Sequence, residues 1–144
     1  MKPLDSAGYR VSLARGFLAE SRQDQGWKRW RSCVDNAQLA VEHALKAIIA
    51  LWGPVPKTHH VTAILLRMLE QGQLPQEYMS EIRRLISLAE PLGPEIHLRT
   101  DYGDELSGIS PWELFSKEDA QHYLDLAEQA VYLAGQLIER VASE

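Results

Sequence analysis

CVDNAQLAVEHALKAIIALW, residues 33–52, is the longest clean helical pattern in the chain, and it decides the fold. Its apolar side chains recur at alternating steps of three and four residues, which places them on one stripe of an α-helix. The stripe consists of Val34, Ala37, Val41, Ala44, Ile48 and Leu51. Leu45, Ile49 and Trp52 widen it, as a helix surrounded by several others requires. The pattern predicts a central bundle helix whose middle is almost fully buried.

A polar row follows another side of the same helix and comprises Arg31, Asp35, Gln38, Glu42 and Lys46. We expect this row to face solvent, with Arg31 paired to Asp35 and Glu42 paired to Lys46 across one helical turn. At the end of the helix, Gly53 predicts a left-handed cap and Pro54 prevents continuation.

The remaining helices follow from capping residues and breakers. The first helix is expected from Asp5 or Ser6 to about Gln23, with a turn at residues 23–26 before the central helix starts near Trp27. Thr58 is the expected N-cap of a third helix that ends at Gly72. Pro75 suits the first turn of a fourth, which stops at Pro91, and a capping box at Ser116 and Asp119 opens the last.

Residues 99–115 show neither helical nor strand periodicity and are expected to form a long irregular loop. Such a loop in a compact domain is often functional. The alternative is a surface loop pinned by Trp112, Leu114 and Phe115. The whole pattern predicts an all-α, up-and-down bundle of four to five helices, with residues 1–144 as a single domain.

Composition limits the class of protein. The 144 residues are 45% hydrophobic and 24% charged, which is ordinary for a globular domain. No run of eighteen apolar residues occurs, so no membrane span is predicted, and the first ten residues lack the apolar core of a signal peptide. The single cysteine, Cys33, excludes an internal disulfide framework and a cysteine-based zinc site. We therefore expect a cytoplasmic protein that does not associate with a membrane.

The charge is unevenly distributed along the chain. The net charge of −5 argues against a general nucleic-acid binder. Residues 10–31, however, contain six Lys/Arg and two Asp/Glu, whereas residues 101–144 contain ten Asp/Glu and two Lys/Arg. Either neighbouring helices complement each other, or the basic stretch faces a phosphate or an acidic partner. Its segment WKRWR, residues 27–31, either stacks bases and holds phosphates or caps the core with its tryptophans.

Histidine is the main candidate for chemistry. His59 and His60 are adjacent, and adjacent helical residues diverge by about 100°, so the pair is not expected to share a metal. Glu42, His43 and Lys46 could meet one of them where the central helix ends, in a structural hydrogen bond rather than a catalytic one. No metalloprotease, phosphate-loop or nucleophile-elbow motif occurs. The sequence thus predicts no catalytic residue, no metal and no cofactor.

Several segments together resemble the HEPN domain family. AVEHALKAIIALWG, residues 40–53, is similar to the Ala-x-x-Ala-x-x-Ala-Leu-Lys-Ala helix of its members, and Pro56-Lys57-Thr58-His59-His60 is similar to the Pro-containing loop and Thr-His pair that follow it. HLRTDYGD, residues 97–104, resembles the family's Arg-Tyr-Pro-Asp segment, with Gly103 where Pro is usual. SKEDA, residues 116–120, resembles the start of its last helix. Order and spacing agree across residues 5–141.

The resemblance implies a homodimer and a function. Active ribonucleases in the family carry an Arg and a His four to six residues apart on a late helix, and this chain departs from that pattern. Arg99 follows His97 by two residues, in the wrong order. The resemblance therefore favours a non-cleaving binding module, a partner or substrate-binding subunit of a small nucleotidyltransferase that could bind nucleotide. An RNA-cleaving toxin of a toxin–antitoxin pair and a purely structural adaptor are the alternatives.

The candidate ligand site follows from the same segments. Arg99 offers an anion clamp, Tyr102 a stacking ring and Asp104 a carboxylate acceptor within six residues. We expect them to form one ligand-binding site that is reached by Lys46 and by His59 or His60. The competing interpretation is that Arg99 and Asp104 pair only to fix the loop.

Overall fold

A computed structural model describes residues 2–144 and confirms the all-α bundle. Its helices are α1 Pro3–Gly26, α2 Trp30–Trp52, α3 Val61–Glu70, α4 Met79–Ala89, α5 Pro94–Tyr102, α6 Pro111–Leu114 and α7 Lys117–Ala142. Single 3-10 turns at Gln76–Tyr78 and Glu90–Leu92 lead into and out of α4. Residues 2–144 contain no β-strand, only an isolated antiparallel bridge between Asp104 and Ile109. Across that same range, no helix combines the length and apolar character that crossing a bilayer would need.

The three long helices α1, α2 and α7 form the body of the bundle. A link of three residues joins α1 to α2, and contacts from Asp24 to Asn36 and from Phe17 to His43 show that the two run antiparallel. Helix α7 also runs antiparallel to α1, since Arg22 lies 3.6 Å from Glu128 while Gln25 meets Gln121 nearer the start of α7. Helix α2 packs against both and occupies the centre.

The predicted core of α2 is confirmed. Val41, Ala44, Leu45 and Ile48 are at most 2% exposed. Burial continues around the helix, because α1, α7, α5 and α3 each cover part of it. The widened apolar stripe was therefore a sound indication of a helix that is enclosed on several sides.

The ends of the first two helices differ from the prediction. Helix α1 begins at Pro3, before Asp5 and Ser6, because the fixed φ of proline suits the first turn and its missing N–H is unpaired there in any case. The turn lies at residues 27–29 rather than 23–26. Lys28 adopts a φ of 60° there, so the reversal uses a left-handed lysine instead of Gly26.

Three other predicted boundaries are also wrong. Gly53 is extended, with a φ of −168°, and does not form a left-handed cap. Thr58 does not cap α3: its hydroxyl accepts a hydrogen bond from the His60 N–H, and the helix begins only at Val61. Pro75 precedes a 3-10 turn, and α4 starts at Met79. The capping box at Ser116 and Asp119 is present as predicted.

The expectation of an irregular loop over residues 99–115 is wrong at both ends. Residues 99–102 complete α5, and Pro111–Leu114 form α6. Apolar periodicity missed α5 because its one fully buried residue, Thr100, is polar and Ile96 is only partly buried against the core. The true loop is residues 103–110, a tight turn closed by the bridge between Asp104 and Ile109.

Gly103 explains the departure from proline in that loop. Its φ is +69°, and a Cβ there would collide with the Ile109 carbonyl oxygen. Proline fixes φ near −65°, so it cannot occupy this conformation. Glycine is required for the reversal that follows α5.

We expect Leu45→Ala to lower the free energy of unfolding by about 2–5 kcal/mol, because the substitution leaves a cavity around a side chain that is 1% exposed. Urea unfolding followed by circular dichroism measures the change. Leu66→Ala, at a site that is 41% exposed on α3, is the matched control and should change stability by less than about 0.5 kcal/mol. Equal losses in both variants would contradict a central position for α2.

Candidate functional site

The polar row of α2 is not the solvated face that its sequence pattern indicates. Gln38, Glu42 and Lys46 are 1%, 6% and 8% exposed. Their side chains lie beneath the segment that joins α2 to α3 and close to α5. Buried charges need partners, and the positions of those partners define the site.

Glu42 is the centre of this arrangement. Its Oε1 lies 2.7 Å from His59 Nδ1 and accepts a hydrogen bond of 3.3 Å from the Gln38 amide. Its Oε2 accepts a hydrogen bond of 3.3 Å from Lys46 Nζ, which confirms the predicted pair. Burial acts to raise the pKa of Glu42, but the His59 hydrogen bond, the Lys46 charge and the Gln38 amide outweigh it and hold that pKa below its usual value.

His97 on α5 extends the arrangement. Its ring stacks on His59, with 5.1 Å between the ring centroids and 27° between the planes. Its Nδ1 lies 3.7 Å from Asp35 and its Nε2 lies 3.8 Å from Asp101. The two histidines thus sit side by side, and each lies near a carboxylate, with only His59 within hydrogen-bond distance of one.

Arg31, in the first turn of α2, is the last member of the arrangement. The predicted pair with Asp35 does not form. Instead, the guanidinium donates to the Thr100 carbonyl at 2.6 Å and lies 4.0 Å from Asp101. Asp35 accepts a hydrogen bond of 3.2 Å from the Thr100 hydroxyl. We call the connected set the polar seam: Arg31, Asp35, Glu42, Lys46, His59, His97 and Asp101.

The chemistry open to the polar seam follows from its charges and exposure. His59 reaches solvent with 56% of its side chain exposed, and His97 with 28%. Residues 2–144 contain no group of three His, Cys, Asp or Glu with the geometry to hold a metal ion. Three carboxylates face two fixed cations, so the seam is poorly suited to gather phosphates. It joins α2, α5 and the segment between α2 and α3 into one surface.

The structure places the six predicted ligand residues in two groups. Lys46 and His59 meet through Glu42 in the polar seam. Arg99, Tyr102 and Asp104 instead line a separate cavity of about 450 Å³. His60 is exposed beside His59, and the only hydrogen bond found for it within residues 2–144 is from its backbone N–H to Thr58. Ligand binding by either group stays a prediction.

The cavity beside Arg99 has its own character. Leu98, Tyr102 and Leu106 line it and are 55%, 61% and 103% exposed. We call these three side chains the apolar end. Asp104 is engaged in the turn, where its side chain accepts a hydrogen bond of 3.2 Å from the Ser107 N–H. Among the described residues, Arg99 makes no ion pair with Asp104, so the competing interpretation of a fixed pair does not hold.

His43 faces α1 rather than His59 and α5. Its ring stacks on Phe17 with 5.4 Å between centroids and 4° between planes. Burial, together with the charges of Lys46 and Arg10, lowers the pKa of His43 despite the neighbouring Glu42. His43 therefore takes no part in the meeting of Glu42, Lys46 and His59. The sequence missed His97, Asp35 and Asp101, although the spacing of 97 and 101 puts both on one helix face.

Comparisons with known proteins agree on the fold. Residues 8–137 match the family of the HEPN domain. A protein of Methanocaldococcus jannaschii named "Putative toxin MJ1304" is 23% identical over 89% of this chain and 90% of its own length. The crystal structure of TT1696 from Thermus thermophilus superposes with a TM-score of 0.71 at 21% identity, over 94% of this chain and 98% of that one.

We expect Glu42→Gln to lower the free energy of unfolding at pH 7 by about 1.5–3 kcal/mol, because it removes the carboxylate between Lys46 and His59. The folded-state pKa of Glu42 lies below its unfolded value, so this contribution is complete above the unfolded pKa and is lost as the pH falls through the folded one. Denaturant unfolding at pH 7 and pH 3 measures the difference. The exposed Glu20→Gln should show no such pH-dependent loss.

Proposed function

The chain belongs to the HEPN domain family, and on that premise we propose that it is a non-cleaving binding module that docks onto a small nucleotidyltransferase. The observation that supports docking is the apolar end, three large exposed side chains around one cavity on α5 and the following turn. Exposed apolar groups gathered in this way are typical of protein-interaction sites. Glu95, Asp104 and Glu105 surround them, so the surface favours a partner with a basic rim.

A binding role is also favoured by what the histidines do. His59 and His97 each lie beside carboxylates, and Arg31, the arginine of the polar seam, donates to a backbone carbonyl. Cleavage of RNA by the family's mechanism needs an arginine for the scissile phosphate and a histidine for proton transfer. The chain lacks that pair at the required spacing.

The toxin alternative has one observation in its favour, the name of the relative from Methanocaldococcus jannaschii. At 23% identity, that name supports a toxin function only weakly. If the chain were such a toxin, its cleavage site would use the stacked His59 and His97 in place of the usual pair. Their ring centroids are 5.1 Å apart, which leaves no room for a phosphate between the rings in this arrangement.

We expect the tagged chain, expressed in its native host, to retain a nucleotidyltransferase during purification. Leu106→Glu should abolish retention, because it places a charge at the apolar end without touching the core. Leu66→Glu, on the exposed face of α3, is the matched control and should retain the partner. A pull-down in which both variants retain the nucleotidyltransferase would reject this surface, and wild-type material without it would reject the partner.

The same material tests the homodimer that the family implies. Light scattering at micromolar concentration is expected to give about twice the chain mass of 16.3 kDa. Leu106→Glu should leave this value unchanged if the apolar end serves the nucleotidyltransferase rather than a second copy of the chain. A monomer mass across the whole range would contradict the dimer.

A nucleotide is the second ligand that we propose, held by Arg99 with Tyr102 as a stacking ring. Arg99→Ala should weaken nucleotide binding by about 1.5–3 kcal/mol, the value of a charged hydrogen bond, with no change in melting temperature. Isothermal titration and a thermal melt measure the two effects. A lower melting temperature with unchanged binding would instead show that Arg99 is structural.

A further inference from the structure

The sequence WKRWR at the junction of α1 and α2 forms a cavity that the functions above do not use. Its volume is about 490 Å³, in the range of ligand sites. We call it the basic corner, and it is lined by Lys28, Arg29, Trp30, Arg31, Ser32 and Trp112. The α1–α2 turn and the start of α2 supply five of these residues, and α6 supplies the sixth.

The charge of the basic corner sets it apart from the rest of the surface. Three cations line it, and no carboxylate does. Four other surface cavities, including the one beside Arg99, are each lined by at least two carboxylates. On a chain with a net charge of −5, this local excess of cations favours the binding of an anion.

The rest of the basic stretch does not share this excess. Arg22 lies 3.6 Å from Glu128 of α7, and Arg15 lines a surface cavity together with Glu128 and Glu139 of the same helix. The expectation that neighbouring helices complement each other thus holds for α1. It does not extend to Lys28 and Arg29, which form no ion pair within 4.0 Å among the residues that the structure describes.

Aromatic rings stand beside these cations and face solvent. Trp112 is 74% exposed and Trp27 is 57% exposed, so neither caps the core as tryptophans at a helix end commonly do. The guanidinium of Arg31 lies 5.8 Å from the Trp112 ring centroid, and that of Arg29 lies 4.8 Å from the Trp27 ring. An exposed tryptophan held beside cations is the combination that stacks an unpaired base while the cations hold its phosphate.

The backbone adds donors of the same kind. Helix α2 has no side-chain cap and no acidic residue in its first turn. The N–H groups of Arg31 and Ser32, both on the cavity wall, donate to no acceptor among residues 2–144. Such unpaired N–H groups at the positive end of a 23-residue helix favour an anion.

We propose that the basic corner binds the phosphate and the adjacent unpaired base of a nucleotide, with the base on Trp112 and the phosphate at Lys28 and Arg29. The chemistry is shared by a single-stranded nucleic acid and by a free nucleotide. The site is separate from Arg99 and the apolar end, so it can exist whether or not the nucleotidyltransferase docks there.

The test is the anisotropy of a fluorescent oligouridylate of about twelve nucleotides, within the range of single-strand site sizes, titrated with the full chain at several salt concentrations. Two or three phosphate contacts should give a slope of about −1.4 to −2.1 for log affinity against log salt. Trp112→Ala should weaken binding about tenfold or more with little change in slope, since stacking is lost and charge is kept. The double variant Lys28→Gln/Arg29→Gln should flatten the slope by about 1.4.

Matched controls separate the basic corner from general charge and from the Arg99 cavity. Tyr132→Ala removes an exposed aromatic ring on α7, Lys57→Gln removes an exposed cation elsewhere, and Arg99→Ala alters the other proposed nucleotide site. Tyr132→Ala and Lys57→Gln should bind as the wild type does, whereas Arg99→Ala reports on the other proposed nucleotide site. Each variant is first checked by its melting temperature, which the substitutions at the exposed Tyr132 and Lys57 should leave unchanged.

Competition identifies the source of the ligand. Displacement of the oligouridylate only by other single strands assigns the basic corner to nucleic acid, and displacement by uridine monophosphate at similar concentrations assigns it to a free nucleotide. The proposal is overturned if no binding occurs, if Trp112→Ala binds as well as the wild type, or if polyglutamate competes as well as the oligonucleotide. Loss in Arg99→Ala alone would place nucleotide binding in the other cavity instead.

Discussion

Glu42 is a buried carboxylate on the central helix, and the structure around it is arranged to satisfy that charge. A carboxylate that is 6% exposed is stable only with partners. Gln38 and Lys46 come from its own helix, but the closest partner, His59, comes from the segment between α2 and α3. That segment contains Pro54 and Pro56 and no regular structure. The Glu42–His59 contact therefore fixes the position at which the segment after α2 packs back against that helix.

The same requirement extends to α5, a helix with little apolar surface to hold it in place. Thr100 is its buried residue, and hydrogen bonds from Thr100 to Asp35 and from Arg31 to the Thr100 carbonyl tie it to α2. His97 stacks on His59 and so joins α5 to the Glu42 contact. Since α5 carries Leu98, Arg99 and Tyr102 on the side away from the seam, the polar seam positions both the apolar end and the Arg99 cavity.

The periodicity of apolar residues predicted the parts of the fold that are held together by apolar packing. The burial of Val41, Leu45 and Ile48 and the long helices around them follow from stripes of three and four. It failed where polar groups decide the packing. The row that contains Gln38 and Glu42 has the spacing of a solvated face, and only its partners in α5 and near His59 show that it is buried. These partners lie 17 to 69 residues away in sequence from the residues of the row that they contact, so a local sequence pattern could not predict the contacts.

The candidate site could be predicted only in part for the same reason. Arg99, Tyr102 and Asp104 do share one cavity, because they lie within six residues of one another. Lys46 and His59 were expected in the same place, but α5 turns His97 and Asp101 toward them and Arg99 away. The basic corner shows the converse. Lys28, Arg29, Trp30 and Arg31 are contiguous in sequence, but Trp112 joins them only through the position of α6, and the sequence alone did not decide between capping the core and meeting a ligand. A tryptophan that covered the core would be buried, and the exposure of Trp27 and Trp112 is therefore the property that makes a ligand the better explanation.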